Sequence, residues 1–339
     1  CRCAENGRRP LGHLQPDQTT LNRACLPLSK TREILERAPV AWGIGLALAG
    51  AFFFSAKAIV VKLAYAHGVD ASTLLAMRML LSLPLFLGAL LFTTLRTPHA
   101  ARMSSKDYGL VVLAGLLGYY LASLFDFMGL QYITAGLERL ILFTYPSLVL
   151  LIACVVKQQW PQTWQLLCMA ISYIGLMVVY GHETVLVQEN TTLGVLLVFA
   201  SALCYASYLM LGEQLLKRFG TIRITAMATT VSAVAILTQV SIQQPLSIIL
   251  DQPAPVWGWS LVNAVFCTFV PVFSVMTAIS LIGAARASQL GMIGPIATIV
   301  LGTFILDEPF TIWHAAGTAL VMAGVAMLTL KKKNPASAL

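Results

Sequence analysis

The sequence predicts an all-α polytopic membrane protein in which ten transmembrane helices form two inverted five-helix repeats. Three observations lead there. Ten apolar stretches run through the 339 residues, at 41–64, 71–92, 109–131, 135–156, 164–180, 193–211, 224–242, 257–281, 287–306 and 311–330, and about 20 apolar residues are needed to cross a hydrocarbon core. Every Lys and Arg outside these stretches falls on one alternate set of connections. Residues also repeat at an offset of 149: Gly45 with Gly194, Ala135 with Ala284, Pro146 with Pro295, Trp164 with Trp313 and Gly175 with Gly324. Five spans per half is an odd number, so the second half must enter the membrane from the opposite side.

Bulk composition agrees. The chain is 58% hydrophobic and 11% charged, with a mean hydropathy of +0.79, too apolar for an ordinary soluble domain. The net charge of +8 comes from tails and loops that face anionic lipid, so nucleic acid is not an expected partner. The six Trp, at 42, 160, 164, 257, 259 and 313, sit at or beside span ends, where an amphipathic ring prefers the headgroup layer.

Residues 1–38 read as a basic, largely disordered tail broken by Pro10, Pro16 and Pro27. The first repeat is expected over 39–181 and the second over 190–333. The first span carries Gly43, Ala47, Ala51 and Ser55 at four-residue spacing, and the last carries Ala315, Ala319 and Ala323. Such stripes let helix backbones approach closely. Pro84, Pro146, Pro271 and Pro295 fall within spans, and the matched pair Pro146 and Pro295 predicts kinks around a central cavity. Cys1, Cys3 and Cys25 lie in the tail and Cys154, Cys168, Cys204 and Cys267 within spans. No external disulfide framework is expected. With Lys and Arg retained on the cytoplasmic side, an even number of spans places both termini in the cytoplasm of a multi-pass inner (plasma) membrane protein.

Six strongly charged side chains fall within spans or their outer turns, all in the first half: Lys57, Lys62, Arg78, Asp126, Glu138 and Arg139. At about 1.5 Å per helical residue, all but Lys62 share a layer displaced from mid-membrane toward the outer face. Charge at that depth faces a bundle interior or a wet cavity. Lys57 and Arg78, with Tyr145 beside Pro146, read as substrate-binding residues, and Asp126 and Glu138 as coupling or ion-pairing residues. The excess of bases over acids favours an anionic or zwitterionic solute. The competing reading makes the layer a set of fixed ion pairs, with Lys62 and Arg139 reaching out to the headgroups. His314 opens the last span and reads as interfacial. His13, His67, His99 and His182 show no metal-ligand spacing, and no phosphate-binding glycine loop or nucleophile motif appears. No cofactor or metal is expected. The partners expected are a small-molecule substrate and the lipid bilayer, with a second copy of the chain as a candidate.

The runs FSAKAIVVKLAY (Phe54 to Tyr65), TLLAMRMLLSLP around Arg78, and GLQYITAGLERLILFTYPSLVLL (Gly129 to Leu151) resemble the EamA-type branch of the drug/metabolite transporter superfamily over about 41–330. The resemblance implies a secondary transporter of small organic solutes, often an exporter, with a central cavity and alternating access between the halves; coupling by protons or exchange is the simplest expectation because no sodium-site signature is read from the residues. It carries Lys57, Arg78, Glu138, Arg139, Tyr145 and Pro146 as matching positions. Asp307 and Glu308 resemble the acidic end after the ninth span, where the first half has Gln158 and Gln159. The alternative class is an integral-membrane enzyme acting on a lipid-like substrate, with Asp307 and Glu308 near His314 as its acid cluster.

Overall fold

The computed structural model describes residues 40–96, 103–186, 190–245 and 247–330. The basic tail expected at 1–38 and the closing Lys331, Lys332 and Lys333 lie outside them. Ten apolar helices follow one another: α1 Val40–Tyr65, α2 Ala71–Phe92, α3 Ser105–Gly129, α4 Ala135–Lys157, α5 Thr163–Glu183, α6 Thr191–Gly212, α7 Thr221–Gln243, α8 Ala254–Ile282, α9 Gln289–Ile305 and α10 Ile312–Thr329. Nine of these are long and apolar enough to cross a membrane, and α9 is shorter. The tenth full span is therefore not found among the described residues. Arg286 and Gln289 make the approach to α9 polar, and the helix breaks at Met292 before Gly294–Ile305 begins.

Local sequence explains where helices begin. Asp70 caps α2 by accepting from the Thr73 amide at 3.0 Å. Ser104 and Asp107 form a reciprocal capping box on α3. The Thr134 hydroxyl accepts the Leu137 amide at 3.1 Å and starts α4.

The two halves match element by element. α4 is broken into Ala135–Leu142 and Tyr145–Lys157, and its counterpart into Ala284–Gly291 and Gly294–Ile305, each piece starting 149 residues after its partner. Pro146 and Pro295 stand in the first turn of the second pieces, where the missing amide costs no helical bond. The kinks expected there are real breaks one turn earlier. Widened π turns occur at Gly115–Leu121 in α3 and Val265–Phe269 in α8, and the left-handed residues Gln158 (φ 52°) and Asp307 (φ 53°) end the equivalent helices. Ser172 Oγ donates to the Val321 carbonyl at 3.4 Å, directly joining positions 149 apart.

Packing follows small residues. Gly43 and Ala47 of the α1 stripe lie against Ile282 and Ala278 of α8. On α10 the expected stripe is wrong: Ala319 and Ala323 are exposed, and the close face is Gly317, Val321 and Gly324. A Cβ on Gly317 would sit 2.6 Å from the Gly175 carbonyl, and one on Gly175 2.7 Å from the Gly317 carbonyl, so α5 and α10 cross at a distance only glycine permits. Alanine sits as readily against lipid as against protein, so spacing alone picked the wrong face.

Because successive helices run in opposite senses, their connections gather at two ends. One carries Lys106, Lys157, Arg218, Arg223 and Arg286, and is called the basic face below. The other carries Asp70, Glu183, Asp251, Asp307 and Glu308, the acidic face.

Candidate functional site

Three of the charged side chains meet within the first repeat. Lys57 of α1 forms a short ion pair with Asp126 Oδ2 of α3, and its Nζ lies 3.1 Å from Glu138 Oε1 of α4. Glu138 is fully buried, Asp126 3% exposed and Lys57 7% exposed. The shared layer is thus a contact, and a single lysine serves both carboxylates. Asp126 Oδ1 and the Glu138 oxygens still lack hydrogen bonds.

That arrangement leaves the arginines without a direct ion pair among the described residues, with Asp126 in electrostatic reach of both and Glu138 in reach of Arg139. Arg78 of α2, 5% exposed, donates from Nη2 to Ser123 Oγ at 2.8 Å and lies 4.8 Å over the Phe127 ring. Arg139 does not reach out to the headgroups as expected. It turns into the bundle, 5.7 Å over Phe54, with Nη2 3.5 Å from Ser55 Oγ and packed on Gly294 at the break before the last part of α9. A Cβ on Gly294 would lie 2.8 Å from Nη2, so a larger residue there would push the guanidinium from its present position. Thr298 of α9 donates to the Ser55 carbonyl at 3.1 Å and ties the same point to the second repeat. Among the described residues neither arginine has a carboxylate within ion-pairing distance, and both Nε atoms lack a partner.

The walls around them are polar and aromatic. Cys267, in the π turn of α8, is within electrostatic reach of Arg78. One turn before it Asn263 is fully buried with neither amide atom hydrogen-bonded. Tyr145 stacks edge-on against Tyr205 (5.4 Å), which leads to Tyr208 (5.9 Å) and then Tyr119 (5.4 Å). Tyr145 and Tyr205 border Arg139, so the residue singled out beside Pro146 belongs to a row of four tyrosine rings.

Toward the acidic face the start of α4 is held by both repeats. Glu308 accepts the Ala135 amide at 2.8 and 3.1 Å, and Lys62 reaches Glu308 at 3.3 Å. The lysine expected to reach lipid headgroups is therefore paired across the repeats. A cleft of about 590 Å³ lined by Lys62, Tyr65, Asp70 and Gln131 opens at this end. Next to it the Thr134 hydroxyl donates to Glu183, whose Oε1 is 3.5 Å from His314 Nε2. Sequence reasoning missed Glu183 altogether and took His314 as interfacial, although it is only 4% exposed. The available signal was Thr134, an N-cap placed where α5 and α10 both bring an ionisable group. Glu308 and His314 meet different partners, the Ala135 amide and Lys62 for the one and Glu183 for the other.

The family model for the EamA-like transporter family matches residues 41–181 and again 192–330. The chain belongs to the EamA-like transporter family. It is 29% identical over 264 residues to uncharacterized transporter YcbK of Bacillus subtilis (strain 168), covering 77% of this chain and 84% of that one. It is 24% identical to uncharacterized transporter YyaM of the same organism, over 70% and 77% of the two chains. A solved crystal structure shares the fold with a TM-score of 0.59 at 14% identity, over 86% of this chain and 98% of its own. An EamA-like chain of this architecture is a multi-pass membrane transporter, and the paired breaks, π turns and left-handed caps are its two repeats seen in three dimensions.

Proposed function

We propose that the chain is a secondary active transporter that exports a small organic anion or zwitterion across the inner (plasma) membrane by alternating access, coupled to protons or to exchange. One observation supports the substrate class: among the described residues Arg78 and Arg139 have no carboxylate within ion-pairing distance, while Lys57 pairs directly with both Asp126 and Glu138. A buried cation needs a counter-charge, and a ligand carboxylate or phosphate supplies it in the bidentate form that guanidinium favours. Asn263 and the tyrosine row offer neutral hydrogen bonds and ring surface for the remainder of such a solute. Tyr145 thus keeps its binding role, Arg139 joins Arg78, and Lys57 becomes the base that holds Asp126 and Glu138 ready for proton exchange.

Positive charge is retained in the cytoplasm, which makes the basic face cytoplasmic and the acidic face external. The repeats are latched together at the acidic face, through Glu308, which favours loading from inside and supports export.

Counterflow into proteoliposomes, run with organic acids, amino acids, sugars and nucleosides with and without a pH gradient, tests the reading. An anionic or zwitterionic solute should exchange unchanged. Arg78→Gln and Arg139→Gln should each lower its uptake at least about tenfold, since losing one partner of a buried charge pair costs roughly 2–5 kcal/mol. Uptake indifferent to both changes overturns the site, and chemical conversion of the solute supports the enzyme class instead.

A further inference from the structure

The cleft of about 590 Å³ at the acidic face is lined by neither arginine. One wall is the turn from α1 into α2, with Lys62, Tyr65, Ala66 and Asp70, and the other is Leu130 and Gln131 after α3. Two features hold the first wall in place. The Tyr65 hydroxyl donates to the Phe127 carbonyl of α3 at 2.7 Å, and Gly68 turns the chain at φ +82°, a conformation that residues with a Cβ resist.

One base and one acid face this cleft, and each has bonding capacity left. Lys62 Nζ lies 3.3 Å from Glu308 Oε1 with its side chain 24% exposed, and an ammonium carries three donors. Asp70 accepts from Ser72 Oγ and the Thr73 amide through Oδ2, and a carboxylate accepts on two oxygens. Gln131 adds an exposed neutral amide. A plain anion would be repelled by Asp70 and a plain cation by Lys62, so the lining selects a solute that carries both charges.

We infer that the cleft binds a small zwitterionic solute, its carboxylate on Lys62 and its ammonium on Asp70, and that this solute competes with Glu308 for the lysine. Lys62 belongs to α1 and Glu308 to the connection after α9, so their pair joins the two repeats. Glu308 keeps the Ala135 amide when the lysine turns to the solute, but the charged part of the latch is lost. Solute arriving at the acidic face thereby loosens the closure it has to pass, which is the behaviour an exchanger needs. The inference deepens the transporter reading and rests on it for this purpose, whereas binding in the cleft is measured without transport.

Ala66, exposed on the cleft wall, supplies the reporter. In full-length chain in phosphatidylglycerol nanodiscs, Ala66→Cys is alkylated with a maleimide and followed at position 66 by peptide mass spectrometry. The rate is normalised to Asp251→Cys, on another exposed connection of the same face. L-alanine, L-serine, L-leucine and L-glutamine are compared with propionate and ethylamine, each of which lacks one of the two charges. At least one amino acid should slow the reaction saturably, and propionate and ethylamine should not. Lys62→Gln and Asp70→Asn, the second of which keeps the helix cap, should each raise the half-protecting concentration at least about tenfold. Glu308→Gln removes the competitor and should lower it about two- to fivefold. Protection by propionate alone, absence of protection by all four amino acids, protection that survives Lys62→Gln, or a concentration unmoved by Glu308→Gln overturns the inference. Protection that appears only when phosphatidylethanolamine is added to the discs assigns the cleft to a lipid headgroup and overturns it too. If protection is present while counterflow fails for every solute, the cleft stands and the transporter reading falls; counterflow without protection has the opposite meaning.

Discussion

Lys57 carries more of this molecule than its single charge suggests, because Asp126 and Glu138 both depend on it. Lys57→Met would leave two carboxylates facing each other in a site closed to water, and breaking a buried pair from one side costs about 3–5 kcal/mol. Asp126→Asn or Glu138→Gln leaves the lysine one acid and should cost distinctly less. Thermal unfolding of the three variants in detergent checks the order, and equal losses would show that the lysine does not bridge. The identities and the depth of this layer were legible in the sequence, since charge in lipid is expensive enough to force those residues inward. Which acid met which base was not legible. Spacing along one helix fixes depth, whereas partners are fixed by the rotation of separate helices, and that rotation turned Arg139 onto Gly294 and Lys62 toward Glu308.

At the scale of elements, the helix starts are set by short polar residues, and Asp70 shows how this couples to pH. Burial works to raise its pKa, but hydrogen bonds from Ser72 Oγ (2.5 Å) and the Thr73 amide (3.0 Å) outweigh that and hold it below its ordinary value of 3.8. A group whose value is depressed by folding adds stability above its unfolded value and loses it as pH falls through the folded one. Asp70→Ala should therefore lower stability by about 1 kcal/mol near neutrality. The difference in melting temperature between parent and variant should shrink on titration from pH 6 to pH 3, and a gap constant over that range would contradict the cap. Caps of this kind are readable from sequence, as were the paired breaks at Pro146 and Pro295. The α5–α10 crossing was not, because glycine at 175 and 317 acquires meaning only once two backbones are seen to touch. The shortness of α9 was missed for a related reason. Its apolar run merges with a polar turn whose break at Met292 no single residue announces.

For the whole molecule, the decisive feature is that two equivalent helix starts are capped unequally. At the acidic face Glu308, from the second repeat, sits on the Ala135 amide at the start of α4 and also pairs with Lys62. At the basic face the matching helix start, Ala284, follows Gly283, which has φ +82° and offers no side-chain cap, and Gln159 stands exposed at the position of Glu308. The ion pair there, Arg218 with Asp107 at 3.3 Å, has an arginine 62% exposed and is largely screened by solvent. A carboxylate on a helix N-terminus in a partly buried setting contributes up to about 2 kcal/mol. On the alternating-access proposal, this balance makes the basic face the easier one to open. Glu308→Gln preserves shape but removes the charge, and a loss of one to two kcal/mol changes a two-state ratio by a factor of about 5–30. Spin labels at Gln131 and Phe310, both exposed on opposite sides of the latch, should report one distance in the parent chain and a second, longer population in Glu308→Gln. Asp107→Asn, which weakens only the basic-face pair, should leave that distribution unchanged. A single unaltered distance in Glu308→Gln would mean that the repeats are held at the acidic face by packing alone, and that the unequal caps do not set the direction in which the bundle opens.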